Sequence, residues 1–364
     1  MKKIIPNVVQ FPTDAQCNGL ICAFSSLMVS VNKENENTPV YCGQKRSACI
    51  NCGNCNNKSI LQRHYEAIYH DYITWSGIGL LWNDTDCTGC YEKTYTQYEF
   101  SYDLPDRLDF VFKAAGYDYV RLNKKESKER LFEQIKASIN NKMPALIKLG
   151  NGEDWSVVTG YDTENQTLYG IDAHKHWAFK VAIPPDGYTE DELFFSDKWY
   201  DNLNCAIIIT GKIDMLSFSD IIKRIILALE CKEHSKLEIK VMSALNQKNN
   251  DKHKLGVWLN ELAGYTVERR WHAAESATAK IYHQTDSERN KQGLCFITDQ
   301  YLKFHDLCWK VWGILGSSPK TGFRVADNVA ERLGKQEAID GLKDMFAKLF
   351  EIDRNVLLKL REMI

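Results

Sequence analysis

The sequence predicts an α+β protein with an antiparallel sheet in its first part and an all-helical second part. Between residues 144 and 180, four short runs rich in Val, Ile, Leu, Tyr and Trp are separated by turn residues such as Asn151-Gly152. This pattern is typical of sequential antiparallel strands. From Ser217 onward, apolar residues recur only at helical spacing. The change near Gly211 predicts an α+β domain over residues 1–212 and a helical bundle domain over residues 213–364.

The other elements follow from the same periodicities. Apolar residues at positions 20, 21, 24, 27, 28 and 31 follow the turn signal Asn18-Gly19 and predict a helix buried along one face. Further helices are expected over residues 61–72, 105–116 and 127–140, and strands over 117–122 and 204–211. In the second part, helices are expected over 220–230, 252–263, 266–285, 294–315, 325–333 and 337–363. Glycines at 264, 316 and 334 stand where three of these helices should end.

Charge and hydropathy limit the classes of partner. The 46 basic and 48 acidic residues give a net charge of −2 without a basic cluster, so nucleic acid and anionic membranes are not expected as partners. Apolar runs such as Ala206–Ile209 fall far short of the roughly 20 residues of a membrane span. Pro6 and Asn7 interrupt the only run that resembles a signal peptide. We therefore expect a cytoplasmic protein.

The chain has 12 cysteines, and half of them lie in a cysteine-rich insertion over residues 35–92, whose stretch from Asn35 to Asn57 is poor in apolar residues. Without an export signal, a disulfide framework is not expected. The pairs Cys52-x2-Cys55 and Cys87-x2-Cys90 present thiolates as tetrahedral zinc sites do, whereas Cys49-x2-Cys52-x2-Cys55 is equally compatible with an iron–sulfur cluster. The predicted ligands are Cys42, Cys49, Cys52, Cys55, Cys87 and Cys90. Unbound thiols or a disulfide formed in air are the alternatives.

Two other cysteines stand at the start of the first predicted helix. Cys17 and Cys22 lie near the turn at Asn18-Gly19, where the positive end of the helix dipole favours the thiolate form. Either residue could therefore act as a nucleophile. The alternative is that both are small apolar residues that pack the helix.

Two motifs resemble papain-like thiol enzymes. The segments Trp155-Ser-Val-Val-Thr-Gly-Tyr-Asp162 and Tyr169-Gly-Ile-Asp172 are similar to the second half of bacteriocin-leader peptidases and butirosin-type acyltransferases. The resemblance extends to the amide synthase of closthioamide assembly. Cys22-Ala-Phe-Ser resembles the nucleophile motif Cys-Trp-Ala-Phe-Ser of that superfamily with one residue lost, and Gln16 precedes Cys22 at the spacing of the oxyanion-hole glutamine.

The resemblance assigns roles to individual residues. It implies that Cys22 is the nucleophile, with Cys17 as the second candidate, and that Gln16 stabilises the oxyanion. Asp172 matches the acidic residue of the family, but Asp154 stands where the family has its histidine. The imidazole would then come from His174, or from His176, in an exchanged arrangement with Asp154 or Asp172 as the residue that orients it.

The family implies a papain-like domain and cysteine-dependent acyl transfer without an organic cofactor. We expect transfer from an acyl carrier protein thioester, or another small acyl donor, to an amine in bacterial natural-product biosynthesis, because the added helical domain offers a docking surface. A papain-like peptidase remains an alternative. Because Asp154 stands in place of the histidine, a non-catalytic papain-like binding protein with a structural metal site is also an alternative. A metal or redox module centred on the cysteine-rich insertion is a further alternative.

One polar pattern in the helical part also has two interpretations. Glu268, His272 and Glu275 fall on one helix face at a spacing that suits a metal ion. A solvated or internally paired helix face is the alternative that we favour.

Overall fold

The computed structural model describes residues 1–5, 8, 19–31, 41–42, 47–48, 60–80, 82, 107–149, 155–172, 194–196, 198–230, 232–247, 251–283, 287–318, 320 and 324–364. The strands are β1 (Lys2–Ile4), β2 (Tyr41–Cys42), β3 (Ser47–Ala48), β4 (Tyr117–Leu122), β5 (Ala145–Leu149), β6 (Trp155–Asp162), β7 (Thr167–Asp172), β8 (Phe194–Ser196) and β9 (Leu203–Lys212). The first helices are α1 (Gly19–Val31), α2 (Ile60–Trp75), α3 (Arg107–Ala114), α4 (Lys128–Asn140) and α5 (Trp199–Asn202), and a 3-10 turn covers Ile78–Leu80. The last are α6 (Phe218–Leu229), α7 (Lys232–Asn246), α8 (Lys252–His283), α9 (Glu288–Leu315), α10 (Val329–Arg332) and α11 (Gln336–Met363). The α+β prediction is confirmed.

The main sheet has seven strands, and every pairing in it is antiparallel. Six of them follow the order β4-β9-β5-β6-β7-β8. β5 pairs with the first half of β6, over Trp155–Val158, and β1 pairs with its second half, over Gly160–Asp162. β2 and β3 form a separate two-stranded ribbon.

Three of the four strands expected between residues 144 and 180 are β5, β6 and β7. The fourth run, at residues 173–180, lies outside the described residues. β1 and β8 are too short to show a period in the sequence, so both were missed. Each is held by a longer neighbour, β6 for β1 and β7 for β8.

Helix α4 begins and packs as its sequence predicts. The Ser127 hydroxyl accepts a hydrogen bond from the Arg130 backbone N–H at 3.3 Å, as an N-cap does. On the buried side, the Phe132 ring lies 6.0 Å from the Tyr161 ring of β6, and the Tyr161 hydroxyl donates to Asn140 Oδ1 at 2.8 Å. α4 therefore covers the sheet face that carries Tyr161.

Helix α1 covers the opposite face. Its Phe24 ring lies 5.0 Å from Phe112 of α3, which lies 4.5 Å from Tyr119 of β4. Tyr119 is the register partner of Ile209. Ile209 shares a face with Cys205, because alternate residues of a strand point the same way. α1 also contacts β5 and β6, and its residues 20–30 are all buried.

The helical part differs from the prediction at two places. Residues 252–263 and 266–285 were expected to form two helices with Gly264 at the break, but α8 is one helix of 32 residues. Gly264 is buried inside it, so packing outweighs the roughly 1 kcal/mol that a mid-helix glycine costs. α7 was not anticipated. Gly316 does end α9, in the left-handed conformation with φ 75°.

The two parts of the chain share one core. All described elements from Phe218 onward are helices, and the main sheet ends at Lys212, which agrees with the expected change of architecture. However, the buried apolar residues of both parts form a single cluster, and α2 packs along α8. The expected division into two domains at residues 212 and 213 stays a prediction. Among the described residues, the buried apolar side chains do not separate into two cores.

Candidate functional site

Cys22 lies in the first turn of α1. Because α1 is pressed between α2 and the β5–β6 pair, the side chain of Cys22 is fully buried. The Ser26 hydroxyl donates to the Cys22 carbonyl oxygen at 3.2 Å, which ties the second turn of the helix to the first. The position suits stabilisation of a thiolate by the helix dipole. An acyl donor can reach this thiol only if a neighbouring segment moves.

The β6–β7 hairpin places Asp172, one of the residues that the sequence singles out, beside the start of β6. β6 begins at Trp155, directly after Asp154, and β7 ends at Asp172, whose register partner is Ser156. Adjacent strands lie about 4.8 Å apart, so the ends of β6 and β7 adjoin as expected. Asp154, His174, His176, Gln16 and Cys17 lie outside the described residues, and their assigned roles stay predictions.

Lys148, Trp155 and Cys205 lie side by side on the sheet face under α1, a row that was not predicted from the sequence. Lys148 of β5 has Trp155 as its register partner on one side and Cys205 on the other. Lys148 is only 4% exposed, and its Nζ lies 5.9 Å from the centre of the Trp155 ring. A lysine within the apolar run Ala145–Leu149 was the available signal, because buried lysines are rare without a partner.

The predicted metal ligands fall almost entirely outside the described part of the chain. Of the six cysteines, only Cys42 is described, as the last residue of β2. β2 contacts α8, so this part of the cysteine-rich insertion lies against the helical part. The zinc or iron–sulfur site stays a prediction.

A polar cluster joins α2 and α8. His70 Nδ1 and His272 Nδ1 are 2.8 Å apart, so one ring donates and the other accepts. The Tyr69 ring meets His272 edge-on at 5.0 Å, and Ser276 donates to Asp71 at 2.7 Å. Of the two expected alternatives, a solvated or an internally paired face, the solvated one does not hold at His272, because that residue is paired with His70 of α2. Within the described residues, no three His, Cys, Asp or Glu side chains are grouped as a metal site requires.

A second cluster lies deeper along the same junction. Arg270 of α8 is fully buried and makes two hydrogen bonds to Asp353 of α11, at 3.0 and 2.6 Å. Asp353 also accepts from the Trp82 indole at 2.7 Å, and Arg270 donates to the Gly79 carbonyl at 2.9 Å. Burial disfavours the charged form of Arg270 and by itself would lower its pKa. The neighbouring Asp353 carboxylate outweighs this effect of burial, so the pKa of Arg270 lies above its usual value. This cluster holds Gly79 and Trp82 onto the helical part.

Two further findings bear on the class of protein. Within the described residues, no helix combines the length and apolar character needed to cross a membrane. Comparison with models of known protein families, with curated proteins and with solved structures found no match.

Proposed function

We propose that this protein is a cysteine-dependent acyltransferase of the papain-like type that moves an acyl group from a carrier-protein thioester to an amine. The observation that supports this proposal is the placement of Cys22 in the first turn of a buried helix that packs on an antiparallel sheet. The β6–β7 hairpin that resembles the papain-like motif belongs to the same sheet. The order of helix, strands and hairpin agrees with the resemblance seen in the sequence.

The proposed reaction has two acyl-transfer steps. A general base takes the proton of the Cys22 thiol, and the thiolate attacks the donor thioester carbonyl. Collapse of the tetrahedral intermediate forms an acyl–Cys22 thioester, and the carrier thiolate leaves and takes that proton from the base. An amine nitrogen then attacks the acyl carbon, Cys22 is released as thiolate, and the amine gives its proton to a general base. Helix-start amides and Gln16 would stabilise the oxyanions. His174 is the proposed base, with Asp172 or Asp154 to orient it.

The test is intact-mass spectrometry of the full chain after treatment with an acyl N-acetylcysteamine thioester. We expect one acyl adduct per chain, located on Cys22 by peptide mapping and absent from Cys22→Ala. Cys205→Ala is the matched control, because Cys205 is also a buried cysteine against the same core, and it should retain the adduct. Transfer from the acylated enzyme to an added amine, rather than to water, separates an acyltransferase from a peptidase. An adduct on another cysteine, or none, contradicts the assignment.

The full burial of Cys22 favours one second candidate, a non-catalytic papain-like protein that binds a peptide or metabolite. In that case Cys22 is a packing residue. Iodoacetamide labelling distinguishes the two candidates. An enzyme should show one cysteine that reacts faster than the others in the folded chain, whereas a binding protein should show fast labelling of Cys22 only after denaturation.

A further inference from the structure

Two imidazole rings at the junction of α2 and α8 form a hydrogen bond between nitrogens of the same kind. His70 Nδ1 and His272 Nδ1 are 2.8 Å apart. Because a neutral imidazole carries one proton, one ring has its proton on Nδ1 and the other has it on Nε2. The ring centres are 4.8 Å apart, and both residues are half-buried. The bond therefore depends on the number of protons that the two rings hold together.

This hydrogen bond accommodates one extra proton but not two. With one extra proton, an imidazolium ring donates from Nδ1 to the neutral ring, and a charged donor makes a bond about twice as strong as a neutral one. With two extra protons, both Nδ1 atoms carry hydrogen, so neither can accept. Two cations then also repel each other at this short distance. The first extra proton strengthens the contact between the helices, and the second breaks it.

A carboxylate beside the pair favours the state with one extra proton. Asp71 follows His70 in α2, and it accepts from the Ser276 hydroxyl at 2.7 Å, one turn after His272 in α8. Opposite charge at this range stabilises an imidazolium ring. The charge of Arg270, two residues before His272, is already paired with α11. Further titratable groups within one turn of the pair, on the same two helices, are Glu66, Tyr69 and Glu275.

We propose that the His70–His272 pair is a pH-sensitive latch, which holds α2 against α8 while it carries at most one extra proton and releases that contact when it carries two. The latch acts on a helix that also packs on α1. Tyr72, two residues after His70, has its ring 4.9 Å from the Phe24 ring of α1. The inference does not depend on thiol chemistry at Cys22.

The latch predicts that its contribution to stability has a maximum as the pH varies. In the unfolded chain, each imidazole takes up a proton near pH 6.5. The folded pair takes up its first extra proton more readily, so this stabilisation is complete below about pH 6.5 and is lost as the pH rises. It takes up the second less readily, so stability is also lost as the pH falls further. A single buried histidine gives only one of these two slopes.

NMR of the full chain with 15N-labelled histidine tests the bond directly. A hydrogen bond between two nitrogens produces a scalar coupling between them. We expect a coupling between His70 Nδ1 and His272 Nδ1 near pH 6.5, and its loss at a lower pH at which the chain is still folded. A coupling that is absent near pH 6.5, or that persists until the chain unfolds in acid, overturns the proposal. This measurement uses the unaltered chain, so it decides the question even if a variant fails to fold.

Urea unfolding of His272→Gln at a series of pH values tests the energetic effect. The unfolding constant of the variant, divided by that of the unaltered chain, should be largest near pH 6.5 and should fall on the acid side by up to about tenfold per pH unit. His253→Gln, at an exposed position of the same helix, is the control and should give a ratio that does not change with pH. A ratio for His272→Gln that is constant, or that changes in one direction only, contradicts the latch.

Discussion

At the scale of single residues, Arg270 and Asp353 form a buried ion pair that is costly to separate. Arg270 is fully buried and Asp353 is 7% exposed, and the guanidinium also lies 5.7 Å from the Trp82 ring and 5.4 Å from the Phe304 ring. Such a pair is stable only while both members are present, because neither charge is solvated when its partner is lost.

Arg270→Met should therefore lower the free energy of unfolding by about 3–5 kcal/mol, because it leaves Asp353 buried without its cation. The double variant Arg270→Met/Asp353→Leu should recover part of that loss. Lys348→Met is the control, because Lys348 and Asp344 form an exposed pair at 2.6 Å that contributes at most about 1 kcal/mol. Urea unfolding measures all three. A loss in Arg270→Met no larger than in the control would show that the buried pair contributes little.

His305 should make the stability of the protein depend on pH. Its pKa is lowered by burial, which outweighs the opposing effect of Asp306, and its Nε2 accepts from the Trp309 indole at 3.1 Å. The folded protein therefore favours the neutral ring, and unfolding favours protonation. This contribution is fully present above the unfolded pKa of about 6.5 and is lost as the pH falls through the lower folded pKa.

His305→Gln should consequently flatten the decline in stability below pH 6.5, and urea unfolding at a series of pH values measures that slope. His253 lies at an exposed position of α8, so His253→Gln is the control. A slope that His253→Gln and His305→Gln change equally would rule out the assignment to His305.

At the scale of elements, β1 depends on a close approach to β6. Gly160 is the register partner of Ile4, and a Cβ at position 160 would lie 2.6 Å from the Lys3 carbonyl oxygen and 2.7 Å from Ile4 Cγ1. Only a glycine admits the strand at this distance. Outside the sheet, Lys3 Nζ donates to Asn140 Oδ1 of α4 at 2.9 Å, which also anchors β1.

Gly160→Ala should displace β1 and lower the free energy of unfolding by about 1–3 kcal/mol, the usual cost of overpacking. Hydrogen exchange of the Ile5 amide, which donates to the Thr159 carbonyl at 2.8 Å, should accelerate. Gly211→Ala in β9 is the matched control, because a Cβ there meets nothing within 4 Å. Retained protection of Ile5 in Gly160→Ala would show that the sheet adjusts without releasing β1.

At the scale of the whole molecule, the segment that joins the two parts, residues 213–216, is hydrogen-bonded at both ends. The Ile213 amide donates to the Gly116 carbonyl at 2.9 Å, and the Leu216 amide donates to the Lys113 carbonyl at 3.2 Å. Across the shared core, Arg224 of α6 donates to the Ser76 carbonyl at 3.3 Å. The helical part therefore packs against α2 and α3 as part of one structure.

A protease site inserted at Asp214 tests this cohesion. After cleavage, we expect the two fragments to elute together in size-exclusion chromatography with unchanged far-ultraviolet circular dichroism, because the junction buries much apolar surface. Adding Arg270→Met should favour dissociation, since it removes one polar contact across the junction. Separation of the cleaved protein into two folded fragments without that substitution would instead show two independent domains.

The sequence by itself determined the elements whose signals are local. The helical spacing of apolar residues in α1 and α4 and the turn between β6 and β7 are short-range patterns, and the structure contains each of them. The Cys22 position at a helix start was predictable for the same reason. The imidazole that the resemblance requires stays a prediction, because Asp154 stands in this sequence where the family has its histidine.

Only the tertiary structure decided which distant residues meet. No local pattern shows that His272 pairs with His70, that Arg270 reaches Asp353, or that Thr74 and Tyr301 line one cavity. Packing also decided that α8 continues through Gly264, against the local preference of glycine to end a helix. The physical reason is that burial and charge pairing depend on neighbours supplied by other helices, and their energies exceed the local preferences that a sequence displays.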